Sequence, residues 1–199
     1  MNTINSIICV GGAHTSGVQC VNDHIYANED SLYKTHGDDS HPENKASAFW
    51  VHFTPVMKIG TFNISKPGWV NKTIIYEVIK YINNKPNPED TVAVVGFEEW
   101  NYSLATPQDH LKDVIQLHKD LKKLNVKHLM FNTQNCLDVS TDEQYDFGDS
   151  YIGPYDSDET MVSQLKAQNF DFNSGTQYFG PAAHRKWARI LLNRLTQIV

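Results

Sequence analysis

The run Gly11-Gly12-Ala13-His14-Thr15-Ser16-Gly17 sets an imidazole and two hydroxyls on one glycine-flanked turn. A hydroxyl beside an imidazole is the minimum for nucleophilic catalysis, in which the ring takes the proton as the oxygen attacks. Adjacent side chains in a loop usually point apart, so a Ser16–His14 dyad would need a third group to orient the base. The plainer reading is a turn whose hydroxyls bond nearby amides. Glu98 and Glu99 are neighbouring carboxylates, followed by Trp100. Such a pair can divide acid and base roles where the two environments differ. Otherwise one faces solvent and the other pairs with a cation such as Lys66 or Arg185. Trp69, Trp100 and Tyr102 offer faces for sugar rings or cations, or pack into the core.

Nine histidines are the compositional feature that most invites a metal or acid–base role. Asp23, His24, Asp30, His36, Asp38, Asp39 and His41 crowd one stretch, but their spacing is irregular and no His-x-x-x-His pair lies on a helix. A solvated loop is the better reading, and no metal or other cofactor is expected. His110 and His118 share a helical face two turns apart, and with His128 read as surface or boundary residues. His52 and Trp50 read as packing. Cys9, Cys20 and Cys136 are odd in number and contain no Cys-x-x-Cys, which argues against a disulfide framework or a thiolate zinc site.

Strand–helix alternation must position these groups. Strands are expected at Ser6–Val10, Lys58–Ile64, Thr91–Val95 and Val126–Phe131, the third almost wholly apolar and β-branched as a buried parallel strand should be. Helices are expected at Ala46–Phe53, stopped by Pro55, and at Trp69–Asn83, with Ile74, Ile75, Val78, Ile79 and Ile82 on one face. Others follow at Gln108–Leu124 and at Glu159–Asn169, capped by Ser157 or Asp158. The last, Ala182–Gln197, is started by Pro181. Polar excursions are expected at 21–45 and 133–157. The sum is one 1–199 domain, a three-layer α/β/α sandwich with a central parallel sheet. Ligands of such sheets bind beyond the carboxyl ends of the strands. That rule gathers Gly11–Gly17, Ser65–Asn71, Gly96–Asn101 and Thr133–Cys136 at one rim.

The chain has 199 residues and a net charge of −6. The acidic balance argues against nucleic-acid binding, which needs a basic face. Apolar runs are too short for a signal segment or a membrane span, so a cytoplasmic location and no membrane partner are expected.

The motifs resemble the SGNH/GDSL hydrolases. Gly11, Thr15 and Gly17 match the family's Gly-x-Ser-x-Thr-x-Gly block after the first strand. Asn63-Ile64-Ser65-Lys66-Pro67-Gly68-Trp69-Val70-Asn71 is similar to its second block, where a glycine, here Gly68, gives an amide to the oxyanion hole. Tyr178-Phe179-Gly180-Pro181-Ala182-Ala183-His184-Arg185-Lys186-Trp187-Ala188 looks like the stretch around its catalytic Asp-x-x-His. The "Pro-Gly-x-x-Asn" and "His-x-x-Trp-Ala" pieces resemble small members encoded by bacterial viruses.

The same resemblance puts Ala13 at the nucleophilic serine, Glu98 at the oxyanion-hole asparagine, Tyr178 at the histidine and Gly175 at the aspartate. A methyl group cannot attack a carbonyl. A phenol of pKa near ~10 is a poor base at neutral pH. A carboxylate at 98 would repel an oxyanion where the usual donor contributes roughly 3–4 kcal/mol. Three functions are therefore in play. The first is a catalytically degenerate protein, virion-associated or host-factor-binding on the resemblance. It would use its cleft or loops for a carbohydrate, an acylated small molecule or a protein partner. Its contacts would be Ala13, His14, Thr15, Gly68, Asn71, Glu98, Glu99, Trp100 and Tyr178. The second is an active esterase or deacetylase that uses Ser16 or Thr15 with His14 or His184. His184 becomes the base if the C-terminal stretch is read out of step with Tyr178. The third is a structural assembly subunit.

Overall fold

The computed structural model describes residues 4–17, 48–98, 106–135, 137–173 and 177–199. Five strands form one sheet: β1 (Ser6–Gly11), β2 (Gly60–Asn63), β3 (Thr91–Phe97), β4 (Lys127–Asn132) and β5 (Tyr151–Ile152). Their order is β2-β1-β3-β4-β5 and every pairing is parallel. The central strands are buried on both faces, which is why they read as unbroken apolar runs. Alternate residues feed two cores. Ile7, Cys9, Val92, Val94, Leu129 and Phe131 face α2 (Phe53–Met57), α5 (Met161–Lys166) and α6 (Pro181–Ile198). Ile8, Val10, Ala93, Val95 and Met130 face α3 (Asn71–Asn83) and α4 (Pro107–Lys123). The result is a three-layer α/β/α sandwich with a central parallel sheet. A single turn, α1 (Ala13–Ser16), follows β1. Among the described residues no helix is long and apolar enough to cross a membrane.

Several elements depart from expectation. β3 runs on to Phe97, because Gly96 and Phe97 stay buried and paired with Phe131 and Asn132. α3 starts at Asn71 rather than Trp69, since Gly68 takes φ +75° and Val70 is still extended. Pro55 lies inside α2 instead of stopping a helix; it sits in the first turn, where a missing N–H costs nothing. α5 is capped by Thr160, whose Oγ1 accepts the Ser163 N–H at 3.2 Å, while Ser157–Glu159 form a separate 3-10 turn. The segment expected as a long loop holds β5, two residues paired with Met130 and Phe131 and too short to show a period.

His110, His118 and His128 are buried, not surface residues. Their polar atoms are matched in the interior: His110 Nε2 meets Asn71 Nδ2 at 3.2 Å, and His118 Nδ1 meets His128 Nε2 at 2.8 Å. The acidic and His-rich stretch expected at 21–45 lies outside the described residues. Among the described residues no group of three or more His, Cys, Asp or Glu could hold a metal ion.

Candidate functional site

The site forms where β1 and β3 deliver their loops side by side. Gly11 pairs with Gly96, and Thr15 fills the space that two side chains would have taken. A Cβ on Gly11 would lie 2.3 Å from Thr15 Oγ1, and one on Gly96 would lie 2.4 Å away. Thr15 is fully buried, and its hydroxyl has no hydrogen-bond partner. The side chain therefore locks α1 onto the sheet and does not line the cleft. Ser16 is also buried, and its hydroxyl donates to the Ala13 carbonyl at 2.8 Å. Both oxygens weighed as nucleophiles are thus turned into the scaffold.

The Glu98 side chain lies against Gly12, where a Cβ would sit 2.3 Å from Glu98 Cγ. Its Oε1 accepts the His14 N–H at 3.3 Å, its Oε2 accepts the Thr133 hydroxyl at 3.2 Å, and the Gly12 N–H also donates to the carboxylate. Burial pushes its pKa up to about 7, against the pull of these donors. Neither Lys66 nor Arg185 pairs with it. Among the described residues the ion pairs are Lys80–Glu77 and Lys112–Asp109, and Lys66 Nζ instead lies 5.9 Å from the centre of the Trp69 ring. The backbone of Glu98 is held from α3. Asn71 Oδ1 accepts its N–H at 2.9 Å, and Asn71 Nδ2 donates to its carbonyl at 3.0 Å. Asn71, expected as a ligand contact, is a buried clamp behind the wall.

A cavity of about 310 Å³ opens beside this carboxylate. Ala13, His14, Gly68, Glu98 and Tyr178 line it, so the structure brings these expected residues together. Trp69, Val70, Gln134 and Gln177 complete the described wall. Gln134 falls within the expected rim loop Thr133–Cys136, and Gln177 is singled out by nothing in the sequence. An amide side chain carries no spacing signal of its own. The His14 ring packs against the Tyr178 ring with centroids 5.0 Å apart, and Gln134 Nε2 meets His14 Nε2 at 3.1 Å. His14 Nδ1 is buried without a partner, and burial lowers the ring's pKa to about 4. The ring is neutral at pH 7.

His184 is not in the cavity wall. It lies buried in the first turn of α6, where its Nδ1 accepts the Phe49 N–H at 3.2 Å and its ring stacks on Phe49. Burial, helped by His14 and His52 nearby, lowers its pKa to about 3. Glu99, Trp100 and Gly175 lie outside the described residues.

No protein-family model matches the sequence, and comparison with curated proteins finds no match. Solved structures do match. TesA superposes with a TM-score of 0.61 at 10% identity, over 98% of this chain and 100% of its own. A lipolytic protein of the G-D-S-L family from Desulfitobacterium hafniense gives 0.52 at 8% identity, over 96% and 99%. The chain has an SGNH-hydrolase fold. A carbohydrate esterase, described by an active site with divergent catalytic and non-catalytic binding functions, gives 0.55 at 16% identity, over 98% of this chain and 69% of its own. Ala13, Glu98 and Tyr178, which the sequence resemblance is expected to place at the family's serine, asparagine and histidine, line one cavity.

Proposed function

We propose that this SGNH-fold protein binds a small polar organic molecule in its cleft without hydrolysing it. The observation that carries the reading is the placement of oxygen nucleophiles on the first turn. The residue lining the cavity is Ala13, a methyl, while the Ser16 hydroxyl is spent on the Ala13 carbonyl and Thr15 is packed between β1 and β3. The nearest substitutes fail on chemistry. The Tyr178 phenol is a weak base at pH 7, with an ordinary pKa near ~10. His184 has its Nδ1 committed to the Phe49 amide. The Glu98 carboxylate occupies donors at the start of α1 and would repel a developing oxyanion. A structural neighbour, the carbohydrate esterase described above, combines catalytic with non-catalytic binding functions, so binding alone has a counterpart on this fold.

The test is hydrolysis of p-nitrophenyl acetate and butyrate by the purified chain. The expected rate is that of buffer, and Ala13→Ser alone should not raise it, because the histidine among the described lining residues, His14, has its pKa lowered to about 4 by burial and its Nε2 against Gln134, which makes it a poor base at pH 7. Turnover abolished by Ser16→Ala, His184→Ala or Glu98→Gln would overturn the reading in favour of a rearranged esterase.

A further inference from the structure

Among its described lining residues the cavity has a carboxylate and aromatic walls but no Lys or Arg. Glu98 lines it, Trp69 and Tyr178 line it with Glu98, and no Lys or Arg is among its described lining residues. The three donors that reach Glu98 are two backbone amides and one hydroxyl. These stabilise the ion, and no cation among the described residues pairs with it. The charged and titratable groups around it do not supply the missing cation. His14 of α1 and His110 of α4 are buried and neutral at pH 7, Tyr178 is a phenol, and Lys66 lies over Trp69. Placing a carboxylate in a protein wall without a cation is costly unless something else brings the charge.

We propose that the ligand of this cleft is a small protonated amine, its ammonium group held by the Glu98 carboxylate and its carbon skeleton by Trp69 and Tyr178. The inference rests on the non-catalytic binding reading and narrows it to one ligand class. A cation near a carboxylate and aromatic rings gains from both, and the gain grows as water is displaced. The same cleft disfavours carboxylates and phosphates, the reverse of a site built to stabilise an oxyanion. The Glu98 pKa, raised to about 7 when the cleft is empty, must fall when an ammonium arrives, so binding near neutral pH releases a proton.

Isothermal titration calorimetry with benzylamine, benzyl alcohol and benzoate tests this with three probes of one size and three charges. Benzylamine is expected to bind at least tenfold tighter than benzyl alcohol, with benzoate weakest. At pH 7 the benzylamine heat should vary with the ionisation enthalpy of the buffer, and near pH ~8, where the Glu98 carboxyl and the amine are both mainly ionised, that variation should nearly vanish. Glu98→Gln should abolish the preference for the amine over the alcohol. The buffer experiment needs only the unaltered protein, so it stands even if the variant folds poorly. Equal binding of amine and alcohol, or no binding of any probe, would overturn the amine assignment. So would an amine preference that survives Glu98→Gln. Ester turnover is a separate readout, and its appearance would instead overturn the non-catalytic reading.

Discussion

Glu98→Gln should make the protein more stable at alkaline pH, and the size of the effect follows from the environment of the carboxyl. Burial raises its pKa from 4.5 to about 7. A carboxyl whose folded pKa is raised stabilises the fold fully below its unfolded pKa, and that contribution is lost as pH climbs through the folded value. The window is therefore pH 4.5 to about 7. A shift of about 2.5 units corresponds to about 3 kcal/mol at 1.36 kcal/mol per unit. This is an upper figure, because part of Glu98 is open to the cavity and solvent screens it. Glutamine keeps one oxygen for the Gly12 and His14 amides, and the Thr133 hydroxyl can turn to accept from the new NH₂ group. The assay is urea denaturation of both proteins from pH 5 to pH 9. The variant should exceed the parent by at most about 1 kcal/mol at pH 5 and by up to about 3 kcal/mol at pH 9, or roughly 6–12 °C in Tm at 2–4 °C per kcal/mol. The other titrating groups are common to both proteins and cancel in the difference. Parallel stability curves across that range would refute a carboxyl whose pKa burial has raised.

Asn71→Ala should cost about 2–4 kcal/mol, because it strips partners from both the N–H and the carbonyl of Glu98; chemical denaturation measures it, and a loss under 1 kcal/mol would contradict the clamp. Gly96→Ala should destabilise by about 1–3 kcal/mol through overpacking, since its Cβ would lie 2.4 Å from Thr15 Oγ1, and Thr15→Ala in the same chain should recover part of the loss. His184 has its folded pKa lowered to about 3, so its contribution is complete above pH 6.5 and is lost as pH falls toward 3. His184→Gln, which keeps an acceptor for the Phe49 amide, should flatten the acid limb of the stability curve by on the order of 5 kcal/mol.

The scaffold was legible wherever burial leaves a periodic trace. Thr91–Val95 reads as a buried parallel strand because both its faces are covered, and Ile74, Val78 and Ile82 read as one helix face because they pack on the sheet. Boundaries were harder where a local conformation intervenes. The left-handed Gly68 delays α3, and Thr160 outcompetes Ser157 and Asp158 as a cap by reaching Ser163. β5 left no trace, since a two-residue strand has no period and is made only by its partner β4.

The site divides in the same way. The sequence by itself determined which chemical groups are present: a methyl at 13, a carboxylate at 98 and a phenol at 178, on loops that a parallel sheet must bring to one rim. Only the tertiary structure decided where each group points and in what medium it sits. It turned Ser16 and Thr15 into the scaffold, set His184 on Phe49, put Asn71 behind the wall and left Glu98 in the wall with no cation among its described neighbours. The reason is that direction and burial are set by contacts between residues far apart in the chain. His14 and Gln134, or Glu98 and Gly12, have no spacing rule that could announce them.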